Sequence, residues 1–269
     1  MKDTEKLILF DLDGTLIDKN YTVTDENIGW YIRQAQAAGW SVGLNSDTPL
    51  EQLQWWRDQL CMTGPIIAEM GAVVECNGEV IYDTALNLAV ERSKKQCYDY
   101  LLKRNKTAVI TGNATKNVKS ESYARSFDSD IETFVYLNTT SMCSLRYFVR
   151  KRSVGGKLEV NDAATQRIYG ELAHFDPSLV SKTIDNNSES GLIIVSDGEI
   201  TKRSGLKLLL SRCSIGRVVM VGNSINDYMG QDIVEHYCVS NTEDSFKDAS
   251  QLLDEPFTKG CVEAIRRLT

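Results

Sequence analysis

The sequence has few histidines and no closely spaced pair of cysteines. Its two histidines, His174 and His236, form no zinc pattern with the seven scattered cysteines, because zinc motifs place their ligands at short fixed spacings. The odd cysteine number and the wide spacing favour reduced thiols over a disulfide framework. We therefore expect a protein of a reducing compartment without a structural zinc site.

Long apolar runs and an excess of positive charge are also missing. The apolar runs have the length of β-strands, and residues 1–6 lack the apolar segment of a signal peptide, so we expect no membrane span and a cytoplasmic location. The net charge of −7 argues against a general nucleic-acid-binding surface. We expect a small molecule as the partner, with no nucleic acid and no membrane, while no pattern specifies the oligomeric state.

Strand–helix alternation is present at both ends of the chain. Apolar runs at 7–10, 40–44 and 65–68 are separated by helical periods, and the alternation returns from Glu199 with a strand at 217–221. Such alternation predicts an α/β protein with a doubly wound, Rossmann-like parallel sheet. A length of 269 residues allows one large domain or two smaller ones.

The middle of the chain follows a different pattern. Asn77 and Gly78 stand between two alternating stretches and predict a β-hairpin, and the polar run 185–191 predicts a loop. The remaining periodicity predicts helices and strands at 86–103, 134–137, 144–150, 162–174 and 192–196, and leaves 111–130 unassigned. We therefore expect an inserted α+β domain of residues 84–195 within a core made of 1–83 and 196–269.

Two carboxylates, Asp11 and Asp13, follow the first apolar strand and are followed by Gly14 and Thr15. Ligands of open α/β sheets bind outside the carboxyl ends of the strands, so these side chains lie where chemistry is expected. Two close carboxylates repel each other unless a cation lies between them, and Mg²⁺ takes oxygen ligands. The alternative is an ordinary acidic turn after a strand.

Three further polar sites follow strands or begin helices. Ser46 could bind an anion with its hydroxyl and the following helix N-terminus, or act only as a helix cap. Lys202 begins a helical period, where a single lysine is usually a surface residue. The run 222–227 follows a second buried strand and is either a plain turn or a second acidic cluster.

Together these sites resemble, in order, the motifs of the haloacid dehalogenase superfamily of phosphohydrolases: Asp-x-Asp-Gly-Thr, a Ser or Thr, a Lys, and Gly-Asp-x-x-Asn-Asp. The stretches 67–72, Ile-Ala-Glu-Met-Gly-Ala, and 259–264 look like further segments of that family. The position of the insertion resembles the Cof-type branch, which carries a large α/β cap of type IIB. The resemblance implies a Mg²⁺-dependent phosphatase of a small phosphorylated metabolite, such as a sugar phosphate or phosphoglycolate, with a cap that closes over the site.

The resemblance also implies a role for each matching residue. Asp11 would be the nucleophile that forms an aspartyl-phosphate, and Asp13 the general acid and base. Ser46 and Lys202 would bind the transferring phosphoryl group. The other implied contacts are Thr15, Asp47 and Asn226 to phosphate, and Asp11, Asp13, Asn223 and Asp227 to the metal.

The inserted segment offers one candidate contact to substrate. Strand alternation places Arg146 and Arg150 on one face of the strand at 144–150, where they could meet an anionic substrate. A solvated polar face is the alternative interpretation of the same pattern.

Three positions depart from the family pattern. Asn223 stands where the family usually has a metal-binding Asp, Thr48 where many relatives have Arg, and Arg203 where Gly is common. Asn223 keeps an oxygen ligand but removes one negative charge. Two alternatives therefore stay open, a catalytically weakened relative that binds a phosphometabolite and a phosphomutase.

Overall fold

The computed structural model describes residues 5–112, 127–174, 182–187 and 190–269. The chain divides into two compact units, Met1–Tyr82 with Ile200–Thr269, and Asp83–Glu199. The predicted insertion, 84–195, falls within the second unit, and the unassigned run 111–130 lies mostly outside the described residues. In the part of the chain that is described, no helix combines the length and apolar character of a transmembrane segment.

The described elements follow one another in a fixed order. They are β1 (Glu5–Phe10), α1 (Ile28–Ala37), β2 (Trp40–Asn45), α2 (Leu50–Gln59), β3 (Ile66–Ala68), a 3₁₀ turn (Glu69–Gly71), β4 (Val73–Cys76), β5 (Glu79–Tyr82), α3 (Thr84–Leu102), β6 (Thr107–Gly112), β7 (Thr133–Asn138), β8 (Leu145–Arg152), β9 (Leu158–Glu159), α4 (Asp162–His174), β10 (Lys182–Asn187), β11 (Leu192–Asp197), α5 (Lys202–Leu210), β12 (Ile215–Gly222), a second 3₁₀ turn (Ile225–Asp227), β13 (Glu235–Cys238), α6 (Asp244–Lys247), β14 (Gln251–Leu252) and α7 (Phe257–Leu268).

The first unit is built on a sheet of strand order β14-β13-β12-β1-β2-β3-β4-β5 among the described residues. The strands from β14 to β3 are parallel, and β4 and β5 are antiparallel. Strand β1 lies between β12 and β2, and its residues 7–10 are fully buried, as expected for a central strand covered on both faces. The predicted doubly wound α/β core is confirmed.

The predicted hairpin joins β4 and β5 at the edge of this sheet. Asn77 and Gly78 have φ values of +51° and +78°. Two positive φ values in succession are what a two-residue hairpin turn of type I′ requires, and Asn-Gly meets that requirement at low cost. The hairpin prediction is therefore confirmed.

The second unit is a smaller sheet of order β10-β11-β8-β7-β6, with β9 paired to β8, in the ranges that the structure describes. Helices α3 and α4 pack their apolar residues against one face, in a core that includes Val90, Leu101, Tyr147 and Ile168. The predicted loop at 185–191 is wrong at its start, because Lys182–Asn187 pairs antiparallel with β11. Backbone pairing at a sheet edge outweighs the low strand propensity of Asp and Asn there, whereas residues 188 and 189 lie outside the described chain.

The 3₁₀ turn after β3 has an unusual backbone that positions α5. Glu69, Met70 and Gly71 have φ values of +51°, +62° and +106°. A Cβ on Gly71 would lie 2.1 Å from the Thr201 carbonyl oxygen, and a Cβ on Gly205 would lie 2.6 Å from the Gly71 Cα. The two glycines therefore allow the turn and the first residues of α5 to touch backbone to backbone.

Met70 is expected to strain this turn, because an unbranched side chain with a Cβ adopts positive φ only at a cost. Met70→Asn should increase the free energy of unfolding by about 1 kcal/mol, since Asn tolerates the left-handed region better. Urea denaturation measures the change, with Met70→Leu as the control that keeps both the bulk and the strain. If the Asn variant is no more stable than the Leu variant, Met70 is not strained.

Candidate active site

The parallel sheet brings the predicted site residues to one edge. Asp11 directly follows β1, and its N–H donates to the Val221 carbonyl oxygen at 2.9 Å. Ser46 follows β2, and its N–H donates to the Ile67 carbonyl oxygen at 2.9 Å. These bonds extend the sheet ladder beyond the strand ends, so both side chains start from fixed backbone at the carboxyl edge.

Lys202 is buried in the site between two carboxylates. Its Nζ donates to Asp11 Oδ1 at 2.7 Å and to Asp227 Oδ1 at 2.6 Å. The three residues are only 4%, 6% and 1% exposed, respectively. Lys202 is the first residue of α5, where Thr201 and Ser204 form a capping box. The helix start is thereby fixed, and Lys202 is not the surface lysine that its isolated position in the sequence would suggest.

Asp227 is held from both sides. Its Oδ2 accepts the backbone N–H groups of Asn223 at 2.9 Å and Ser224 at 3.1 Å, while Oδ1 accepts from Lys202. The carboxylate thus closes the turn after β12 and orients the lysine. Both oxygens have partners within the protein, and the predicted contact of Asp227 to a metal stays a prediction.

One buried cation, Lys202, lies between two buried carboxylates, and the pKa values of Asp11 and Lys202 are both raised. Burial raises the pKa of Asp11 to about 8; the charge of Lys202 opposes the shift, and the carboxylates of Asp227 and Asp13 add to it. Burial alone would lower the pKa of Lys202, but the two carboxylates outweigh burial and raise it. The lysine therefore keeps its proton, and Asp11 is the group left short of positive charge.

Thr15 and Asn223 lie on the other side of Asp11. Thr15 Oγ1 is 3.3 Å from Asp11 Oδ2 and 3.1 Å from Asn223 Oδ1, and a hydroxyl has a single proton to give. Gly14 has φ of +80°, and a Cβ there would lie 2.4 Å from Asn223 Nδ2. The glycine allows the loop after β1 to approach Asn223, so two oxygens converge on one hydroxyl donor.

This arrangement fits a hard divalent cation. Among the described residues, no three His, Cys, Asp or Glu side chains gather as metal ligands. The converging oxygens belong instead to a carboxylate, Asp11, and an amide, Asn223, and both are ligand types that Mg²⁺ accepts. A cation there would also supply the positive charge that Asp11 lacks.

Thr48, which in the sequence is only a departure from the family pattern, is a residue of the site. Its Oγ1 donates to Asp13 Oδ2 at 3.1 Å, and its N–H donates to Ser46 Oγ at 3.2 Å. Thr48 and Ser46 are buried, whereas the Asp13 side chain is exposed. Thr48 thus links the expected phosphate-binding hydroxyl to the expected general acid, and its place two residues after Ser46 is the only sequence signal for it.

The remaining predicted residues lie around this cluster or in the second unit. Asp47 is half-buried with its Oδ1 at 3.4 Å from Ser46 Oγ, and Asn226 is exposed on the second 3₁₀ turn. On β8, Arg146 is buried, so it does not belong to a solvated face. Arg150 is half-buried and donates through Nη1 to the carbonyl oxygens of Val149 and Ser190, each at 2.8 Å. The predicted substrate contacts of both arginines stay predictions.

Comparisons with solved structures find similar folds across the chain. A haloacid dehalogenase-like hydrolase from Bacteroides thetaiotaomicron is 18% identical, with a TM-score of 0.67 over 98% of this chain and 100% of that one. A HAD/COF-like hydrolase from Plasmodium vivax is 19% identical, with a TM-score of 0.60 over 99% and 96%. A third structure, described as showing a conserved trigonal-bipyramidal intermediate in a phosphoryl-transfer superfamily, is 14% identical, with a TM-score of 0.61 over 98% of each chain.

The family comparison covers nearly the whole sequence. No curated protein matches the chain. The family model described as haloacid dehalogenase-like hydrolase matches residues 8–253, a span that contains Asp11, Lys202 and Asp227. The chain therefore belongs to the haloacid dehalogenase-like hydrolases.

Proposed function

We propose that this protein is a Mg²⁺-dependent phosphatase that hydrolyses a small phosphorylated metabolite through an aspartyl-phosphate on Asp11. The contact that carries the proposal is the 2.7 Å hydrogen bond from the buried Lys202 to Asp11 at the carboxyl edge of the sheet. Membership of the family, and the likeness to a structure from a phosphoryl-transfer superfamily, support phosphoryl transfer as the class of reaction.

In the first step Asp11 is the nucleophile. Its carboxylate oxygen attacks phosphorus, the bond between phosphorus and the leaving alcohol oxygen breaks, and Asp13 gives that oxygen a proton. The exposed position of Asp13 lets it reach a leaving group in the solvent-facing part of the site. Thr48 holds one oxygen of this carboxyl group and thereby orients the group for proton transfer.

In the second step water replaces the carboxylate. Asp13 takes a proton from water, the water oxygen attacks phosphorus, and the bond between phosphorus and Asp11 breaks. Inorganic phosphate leaves, Asp11 is again a carboxylate, and Asp13 is again protonated for the next turnover.

Lys202 and Ser46 stabilise the transferring group. The lysine ammonium has three N–H donors, and Asp11 and Asp227 use two of them, so one can point to a phosphoryl oxygen. Ser46 Oγ accepts the Thr48 N–H, and its own proton, which is directed to Asp47 Oδ1 at 3.4 Å, can turn to another phosphoryl oxygen. Fixed donors of this kind account for much of the rate enhancement of phosphoryl transfer, because they stabilise the transition state without having to reorganise.

A bound Mg²⁺ would offset the repulsion between the Asp11 carboxylate and the phosphate and let Asp11 ionise next to Asp227. The residues that would hold it are Asp11, Asn223 and the Asp13 backbone carbonyl.

Asn223 also supports a second candidate function, because the missing carboxylate could leave a relative that binds a phosphometabolite without hydrolysing it. Turnover of p-nitrophenyl phosphate, with Mg²⁺ and with EDTA, separates the two functions.

Asp11→Asn should abolish turnover, because an amide is not a nucleophile toward phosphorus. The loss should reach several orders of magnitude in kcat, as is usual when a nucleophile is removed. Phosphate release measures the rate, and circular dichroism shows that the fold persists. Asp248→Asn makes the same change at a position away from the site and should leave the rate unchanged. Activity near the parent level in the Asp11→Asn variant would remove Asp11 from the mechanism.

The same substitution should stabilise the metal-free protein. Asp11 has a folded-state pKa of about 8, so its destabilising contribution is absent below the unfolded value near 3.8, grows as the pH rises, and is complete above about 8. Asp11→Asn removes this contribution and leaves Lys202 paired with Asp227. In EDTA, urea denaturation should show a gain of about 1–4 kcal/mol at alkaline pH and a much smaller one near pH 4. A gain independent of pH would contradict the raised pKa.

Asn223→Asp should tighten Mg²⁺ binding, because it gives the converging oxygens a further negative charge. Calorimetric titration should show a dissociation constant lower by about tenfold, which corresponds to about 1.4 kcal/mol. Asn105→Asp adds the same charge to an exposed position in the second unit and serves as the control. Equal tightening in both variants would mean that the overall charge, and not a ligand at position 223, produces the effect.

A further inference from the structure

Two cysteines meet at the edge of the sheet opposite the candidate active site. Cys76 ends β4, and Cys213 lies between α5 and β12. Both line a cavity of about 180 Å³ whose other walls include Ser41, Pro65 and Ile215, at the amino ends of the parallel strands. This cavity is separate from Asp11 and Lys202, which belong to the carboxyl ends.

The two thiols are placed against each other by the fold. Cys76 is buried in an apolar cluster with Val74 and Leu209, and Cys213 packs against the same cluster. Both side chains also line the same cavity, and Asn77 Nδ2 donates to Cys213 Sγ at 3.6 Å. The turn of the hairpin thus holds the second sulfur next to the first.

We propose that Cys76 and Cys213 are an oxidisable dithiol that forms a reversible intramolecular disulfide when a small peroxide enters this cavity. The inference does not depend on the proposed phosphatase activity, because no residue of the candidate active site takes part. It identifies a modification site whose oxidant is hydrogen peroxide or a peroxide of similar size.

The proposed oxidation takes place in two steps. The Cys213 thiolate attacks one oxygen of hydrogen peroxide, the O–O bond breaks, and a sulfenic acid and hydroxide are formed. The sulfur of Cys76 then attacks the Cys213 sulfur, the S–O bond breaks, and the thiol proton leaves with the hydroxyl group as water. Peroxide is reduced, two thiols are oxidised to one disulfide, and an external dithiol reverses the reaction by exchange.

The different environments of the two thiols assign the order of attack. Cys213 is half-exposed, so peroxide in the cavity reaches it. Burial raises the pKa of Cys76 to about 11, and the neighbouring Cys213 side chain adds to the shift. Cys76 therefore stays protonated until the sulfenic acid forms beside it, which suits the resolving thiol and not the first nucleophile.

Cys61 provides a comparison within the same chain. It is exposed, while Cys97, Cys143, Cys238 and Cys261 are buried. An exposed thiol without a resolving cysteine stops at the sulfenic stage or is oxidised further. Peroxide should therefore produce a cross-link at one place and simple oxidation at the other.

The test uses the full chain, reduced and then treated with stoichiometric hydrogen peroxide. Intact mass should fall by two hydrogen atoms for the cross-link, and a digest under non-reducing conditions should contain a peptide that joins Cys76 to Cys213. Dithiothreitol should restore both thiols. The linked peptide should be lost in Cys213→Ser and retained in Cys61→Ser, the control that removes an exposed thiol elsewhere.

If a serine variant fails to fold, measurements on the unsubstituted protein are sufficient to test the proposal. Iodoacetamide alkylation of both Cys76 and Cys213 after peroxide treatment, with Cys61 already oxidised, would overturn the proposal. Conversion of Cys213 to a sulfinic acid without the linked peptide would overturn it as well, because it would mean that Cys76 cannot resolve the sulfenic acid.

Discussion

The site depends on one buried lysine shared between two carboxylates. Lys202 reaches Asp11 at 2.7 Å and Asp227 at 2.6 Å, and these three residues come from the end of β1, the start of α5 and the turn after β12. Such an ion cluster forms only when all three segments are in place, because an unpaired buried charge costs several kcal/mol. The contact between Gly71 and Gly205 fixes the position of α5, and the N–H groups of Asn223 and Ser224 fix Asp227. Both contacts help to keep Lys202 between its two carboxylates.

The cluster is balanced for function more than for stability. A second buried cation would make Asp11 part of an ordinary ion pair, whereas a single lysine leaves Asp11 with a pKa raised to about 8. Asp11 Oδ2 and Asn223 Oδ1 both face the Thr15 hydroxyl, which has a single proton to give. A site with this charge distribution favours a ligand that brings a cation to Asp11 or an anionic group to Lys202. Active sites commonly give up stability in this way, because the unfavourable interactions are relieved on binding.

The positions of site residues could be predicted from the sequence where two local patterns, such as an apolar strand and a turn motif, occur next to each other. Asp11 follows a buried apolar run and precedes a Gly-Thr turn, so its place at the sheet edge follows from pattern alone. The burial of Lys202 does not, since its partners lie 191 and 25 residues away and only the family resemblance indicated its role. The Thr48–Asp13 bond and the polar strand β10 were missed for the same reason, because distant backbone or side-chain partners determine both.

The position of β1 in the sheet has a consequence for synthesis on the ribosome. One edge of β1 pairs with β2, which follows within the first 45 residues, but the other pairs with β12, which begins at Ile215. Until the entire second unit has been translated, β1 has an open edge, and Asp11, which follows it, has no lysine partner. The nascent chain can complete the second unit first, and the first unit and its ion cluster close only after β12 and the turn that carries Asp227 have been translated.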